Sequence, residues 1–290
     1  GNANLFPVVA ALELKYAKKV IPEGALAEMT RISHAIAEIV NLTPSTHQPY
    51  VGVSAFAHKA GLHASAIKVD PDLYQHIAPA LVGNHMRMLV SDMAGRASIE
   101  LKAKELGVDI SGDPELVGRV VKRVKERELQ GYTYEAADAS FELLLREEAE
   151  GRTRRYFRIE SRRAIVEDRP DGTHITEATV KLWAKGERIV ATAEGNGPVN
   201  ALDRALRVAL ERIYPQLARL ELVDYKVRIL AGKHGKHGTS SSTRVLISTT
   251  DGRQEWSTVS VAGNVIAASW GALEEAYAYG LLRAGVEPAE

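Results

Sequence analysis

Glu194-Gly195-Asn196-Gly197-Pro198-Val199-Asn200 and Ser260-Val261-Ala262-Gly263-Asn264-Val265-Ile266 lie about 66 positions apart, and each carries a strand end through a glycine into a helix start. Upstream of the first, Tyr156 to Ile159, Ala178 to Trp183 and Ile189 to Ala193 read as strands, and a helix follows to near Tyr214. Upstream of the second, Tyr225 to Ile229, Thr243 to Ser248 and Trp256 to Val261 read the same way, and the helix runs from about Ile266 to Leu282. The turn glycines Gly186 and Gly252 share the displacement. One unit of three strands and a helix exposes a sheet face that it cannot cover, whereas two can cover each other. Residues 151–290 are therefore expected to form a duplicated βββα domain, compact or intertwined with a second copy.

The first half reads as helical. Leu5, Val8, Val9, Leu12 and Tyr16 fall on one face of a helix over about 5–19, and Leu26, Met29, Ile32, Ile36 and Ile39 on one face of a second over about 24–41, so two helices are expected to pack there. Asn41 to Pro49 is a polar linker. Helices follow over about 96–106, 113–128 and 133–150, with Gly107 and Ser111-Gly112-Asp113-Pro114 as punctuation. The expected divisions are 1–48, 49–150 and 151–290, in an α/β (α+β) chain. The opening at Gly1-Asn2-Ala3-Asn4, straight into an apolar face, reads as a cut inside a larger fold.

Composition narrows the chemistry. Lys plus Arg and Asp plus Glu are 37 each, so no net field recruits nucleic acid or an anionic membrane. Without cysteine there is no disulfide, thiolate nucleophile or Cys-ligated metal. No apolar run approaches a membrane span and no signal-peptide pattern opens the chain, so a cytoplasmic protein is expected.

Among nine histidines, His58 and His63 bracket Lys59-Ala60-Gly61-Leu62, and His76 and His85 follow. On a helix an i,i+5 pair points about 140° apart, so a shared metal ion would need a turn at Gly61. A single histidine acting as proton acceptor, with Lys59 and Tyr74 near anionic oxygen, is the other functional reading, and packed or surface histidines are the plain one. His234 and His237 sit in a Gly-rich basic loop that lacks any Walker or Rossmann spacing.

The run Ser54-Ala55-Phe56-Ala57-His58-Lys59-Ala60-Gly61-Leu62-His63, with Tyr74-Gln75-His76-Ile77-Ala78-Pro79 and Leu81-Val82-Gly83-Asn84, resembles the 2-isopropylmalate and citramalate synthase family. Tyr132 to Phe141, Asp224 to Ile229, Thr243 to Ile247 and Ala268-Ser269-Trp270 are similar to its citramalate branch, so the resemblance covers essentially the whole chain. It implies the remnant of a (β/α)8 barrel and helical linker subdomains, followed by the regulatory and dimerisation domain. It also implies a divalent metal (Mg, Mn or Zn), with Asn2 the one ligand carried by this chain. The implied reaction condenses acetyl-CoA with pyruvate to (R)-citramalate on a route to isoleucine. His63, supported by Tyr74, is implied to remove the methyl proton; many relatives carry an Asp where this chain has Ser65, a hydroxyl that could set a tautomer without stabilising imidazolium.

From the resemblance together with the duplicated helix starts, a homodimer and an isoleucine-like effector are expected. Loose effector positions are Gly197, Val199, Gly263, Val265 and Ile266. Two alternatives stand beside this reading: a 2-isopropylmalate synthase, or a freestanding amino-acid-sensing dimerisation module without catalysis.

Overall fold

In the computed structural model the described residues are 3–42, 44–59, 61–90, 95–110, 112–230 and 241–289. The chain divides into two compact units, Gly1–Ser111 and Gly112–Glu290. This boundary differs from the expected one at 150/151. Helices α5 (Pro114–Leu129) and α6 (Asp138–Glu150) fold with the C-terminal sheets, because Ala139, Ser140 and Phe141 are buried and the Ser140 hydroxyl accepts from the Val259 N–H at 2.8 Å. No separate division falls at residue 48 either, since Ala10 and Met29 share one core with Val51, Phe56 and Val82.

The first unit contains α1 (Leu5–Leu14), α2 (Met29–Ile39), α3 (Gly61–Val69) and α4 (Arg96–Glu105), with a two-residue parallel pair, β1 (Ala57–His58) and β2 (Arg87–Met88). Helix α1 ends earlier than its apolar spacing predicts. The Glu13 carboxylate accepts from the N–H groups of Val20 at 2.5 Å and Ile21 at 3.0 Å, folding the chain back past Leu14. The expected packing of the α2 stripe is also corrected. Met29 is buried, but Ile32 and Ile36 are exposed and Ile39 is 83% exposed. Periodicity correctly places these side chains on one face, but it carries no information about what covers that face.

The second unit holds the repeat. Strands β3 (Phe157–Asp168), β4 (His174–Ala184) and β5 (Glu187–Gly195) form one antiparallel sheet, and β6 (Glu221–Ile229), β7 (Thr243–Thr250) and β8 (Glu255–Ala262) form another. Helix α7 (Pro198–Glu211) packs on β4 and β5, and α8 (Val265–Arg283) packs on β7 and β8. Gly186 and Gly252 take φ of +79° and +81°, the left-handed turn conformation that explains glycine at both repeat positions. One core runs through both copies, with Leu182, Leu206, Val245, Ile247, Trp270 and Leu273 buried together. Strand β3 extends nine residues beyond the expected Ile159. Its Glu160 to Asp168 portion is charged because it forms a sheet edge with most side chains exposed.

Candidate active site

Two anchors position β1. The Asn84 side-chain amide donates to the carbonyls of Tyr50 and Gly52, both at 2.9 Å, and its oxygen accepts from the His85 N–H at 2.8 Å. At Gly52 the backbone passes so close to the 46–48 turn that a Cβ would sit 2.4 Å from the Thr46 carbonyl oxygen. The chain then enters β1, whose register with β2 pairs His58 with Met88. Helix α3 follows, held by Ala64 and Ile67 against Met88.

His63 lies in the first turn of α3, and Tyr74 ends the short helical turn Pro71–Leu73, which Asp70 caps by accepting from the Asp72 N–H. Their rings stack with centroids 4.1 Å apart at 30°. On the other side the His58 ring stands edge-on to His63, 6.1 Å away at 73°. His58 is buried, and its Nε2 has no hydrogen-bond partner among the described residues. Burial, and then the neighbouring His63, lower its pKa, so at neutral pH His58 is uncharged and adds no positive charge beside His63.

Ser65 spends its hydroxyl on the backbone. Its hydroxyl donates to the Gly61 carbonyl at 2.9 Å, a helical back-bond one turn away, so His63 is oriented by ring packing instead of by the residue two positions on. His76 is a packing residue: it stacks on Phe56 at 5.9 Å, meets the Tyr50 edge at 5.4 Å, and its carbonyl accepts from Lys15 Nζ at 2.8 Å. The Asn84 anchor was not read from the sequence as structural. Its only signal was its place after Gly83, whose φ of +69° lets the backbone approach the Ala27 carbonyl.

Among the described residues no three His, Asp or Glu side chains converge as a metal ion would require. These residues do not fit a metal site. Asn2, His234 and His237 lie outside the described residues.

The two helix starts differ. Asn264 caps α8 by accepting from the Ala267 N–H at 2.8 Å, whereas Gly197 offers α7 no side-chain cap. Val199 and Ile266 pack against the core, and Val265 is exposed.

No helix among the described residues is long and apolar enough to cross a membrane. Residues 50–131 match the homocitrate synthase post-HMGL domain-like family, and residues 135–281 match the LeuA allosteric (dimerisation) domain. The chain is 83% identical over all of its 290 residues to the (R)-citramalate synthase of Streptomyces coelicolor, covering 54% of that protein. It is 44% identical to the enzyme so named from Aquifex aeolicus, over 98% of this chain and 53% of the relative, and 44% identical to that of Geobacter sulfurreducens, over 97% and 53%. The chain spans about half the length of the curated relatives it matches. With the duplicated βββα domain, the two family matches and identity along its full length all in agreement, the chain belongs to the citramalate synthase family.

Proposed function

We propose that this chain works as the linker and regulatory half of an (R)-citramalate synthase, which condenses acetyl-CoA with pyruvate and releases CoA. The observation that carries this reading is the His63–Tyr74 stack beside an uncharged, buried His58, in a chain 83% identical to an enzyme of that name. In this role a His63 ring nitrogen accepts a proton from the acetyl methyl, and the carbon so exposed attacks the keto carbon of pyruvate. Water then cleaves the thioester, giving citramalate and CoA. Tyr74 limits the orientation of the imidazole, and uncharged His58 leaves it free to take the proton.

The family's divalent metal is proposed to lie with residues beyond this chain, with Asn2 its single contribution here; polarising the keto group is the chemistry it would supply. The cytoplasm is the proposed location. In the full-length enzyme, His63→Ala is expected to lower kcat by roughly 10²–10⁴-fold with little change in KM, because a base acts mainly in the transition state. Unchanged kcat would remove His63 from the mechanism. The 290-residue chain alone is expected to release no CoA from acetyl-CoA and pyruvate, and release would overturn the placement of the metal outside it.

Residues 151–290 are proposed to dimerise and to bind an end-product amino acid, isoleucine first. The match to an allosteric dimerisation domain supports this, as does the edge strand β6, where Tyr225, Val227 and Ile229 share one face and Ile229 is 64% exposed. The uncapped start of α7, at Gly197 and Val199, is a better carboxylate seat than the start of α8, where Asn264 already occupies an N–H. Calorimetry of the chain with isoleucine, leucine and valine tests the sensing role, and an intact dimer that binds none of them would leave dimerisation alone.

A further inference from the structure

Within the second unit, α5, α6, α8 and the start of β3 enclose a cavity of about 570 Å³, the size of ordinary small-molecule sites. Leu143, Leu144 and Ala278 give it an apolar wall. The carboxylates of the wall are already engaged. Glu147 accepts from Arg123 at 2.9 Å, Glu274 accepts from the Trp270 indole N–H at 3.0 Å, and Glu275 accepts from the Ser140 hydroxyl. Three of the cations form no ion pair among the described residues: Arg127, Arg155 and Arg158, the last lying over the Trp183 ring. Arg127 donates to the Tyr132 hydroxyl at 3.0 Å and lies over that ring without a carboxylate partner, and the exposed Arg155 side chain makes no ion pair or hydrogen bond among the described residues.

Glu275 lies deep in the unit and yet keeps part of its surface accessible, as a group in a cavity wall does. Arg123 and Arg127 face this region from α5, Tyr132 and Tyr134 from the following loop, Glu147 from α6 and Glu274 from α8, while Arg155, just before β3, acts on Glu274. Burial outweighs the Ser140 hydrogen bond and the Arg127 charge and pushes the Glu275 carboxyl up to about 7. Near neutral pH the wall thus combines cations that form no direct ion pair with an acid that is partly protonated. That balance disfavours an added cation and suits an added anion.

We propose that this cavity binds a small organic carboxylate with a short aliphatic body, the carboxylate held by Arg127 and Arg155 and the body lying against Leu143, Leu144 and Ala278. The proposal does not depend on the catalytic reading or on the helix-start effector seat. An anion entering beside Glu275 favours its protonated form, so binding takes up a proton and weakens as pH rises.

The test is calorimetry of the 290-residue chain with 3-methylpentanoate, which has the carboxylate and aliphatic body without an ammonium, alongside L-isoleucine and inorganic phosphate. Expected is binding of 3-methylpentanoate that weakens about tenfold between pH 6 and pH 8, the change in the protonated fraction of a group titrating near 7. Glu275→Gln, which keeps a neutral group of the same shape, should abolish that pH dependence. Arg155→Gln, at an exposed side chain that forms no hydrogen bond or ion pair among the described residues, should weaken binding roughly fivefold. If isoleucine binds and Arg155→Gln weakens it in the same measure, an amino acid is a source of the carboxylate; if isoleucine does not bind, or binds unaffected by that substitution, the source for this cavity is an ammonium-free acid, and the site stands on 3-methylpentanoate in either case. No binding of 3-methylpentanoate at millimolar concentration, phosphate binding equally well, or affinity indifferent to both substitutions would overturn it.

Discussion

The two βββα copies share topology, turn glycines and displacement, yet their helices are built differently. Helix α7 is amphipathic, with Arg204 exposed and Arg207 half-buried on its outer side. At the matching positions α8 carries Trp270, only 2% exposed, and Leu273, fully buried. The cause lies outside the repeat. Helix α6 packs on β8 and α8, and the Arg162 guanidinium of β3 lies 4.9 Å over the Trp270 ring, so α8 is covered on faces that α7 leaves to solvent. A duplicated unit therefore diverges where its second copy gains a roof, and the side chains follow the burial.

The largest expected effect breaks that contrast directly. Trp270→Ala should cost about 3–5 kcal/mol in urea unfolding of the chain, as for other large buried aromatics. Arg204→Ala, at the equivalent position of α7, should cost no more than about 1 kcal/mol, since its guanidinium gives up one exposed bond to the Glu194 carbonyl. Equal losses would show that the two helices are covered alike.

The roof also buries an acid that the first copy lacks, since Ala209 matches Glu275. With its folded pKa raised to about 7 from 4.5, Glu275 holds its proton in the folded state where the unfolded chain has released it. Stability should therefore be highest below pH 4.5, as far as this group is concerned, fall through the window up to 7, and level off above it. The total change should be at most about 3 kcal/mol. Unfolding midpoints across that window should slope downward for the wild type and flatten for Glu275→Gln.

A smaller effect tests the joint itself. Ser140 accepts from the Val259 N–H and bonds to Glu275, so Ser140→Ala should cost about 1–3 kcal/mol by leaving a buried donor unpaired. Loss of hydrogen-exchange protection at Val259 would locate the damage. The smallest effect concerns the helix starts: Asn264→Ala should cost about 1 kcal/mol, whereas Gly197→Ser should gain a few tenths. Room for that serine exists, because a Cβ at Gly197 meets nothing within 4 Å. Thermal unfolding of the two variants in opposite directions would sharpen the comparison.

Much of the second unit was legible in advance. All six strands and both helices of the repeat lie where alternation and the turn glycines put them, with β3 the main extension. The stretch before α6, in the same unit, was less so. Thr133 to Ala137 read as the start of a helix, but Tyr134 is buried edge-on against Phe141 at 6.1 Å and holds the segment as a turn before α6. At the candidate site, the spacing of His58 and His63 and the presence of Tyr74 were visible. The use of Ser65 to bond Gly61, and the packing of His76 on Phe56, were not.

What the sequence by itself determined was local: strand and helix periods, the left-handed glycine turns, the duplicated unit and the residues that stand on each face. Only the tertiary structure decided which faces are covered. It roofed α8 and left α7 open, it left the α2 stripe exposed at Ile39, and it brought Tyr74 against His63 across the turn that follows α3. Periodicity follows from backbone geometry within a few residues, whereas burial depends on segments distant in the chain, and those contacts carry no signature in the local pattern.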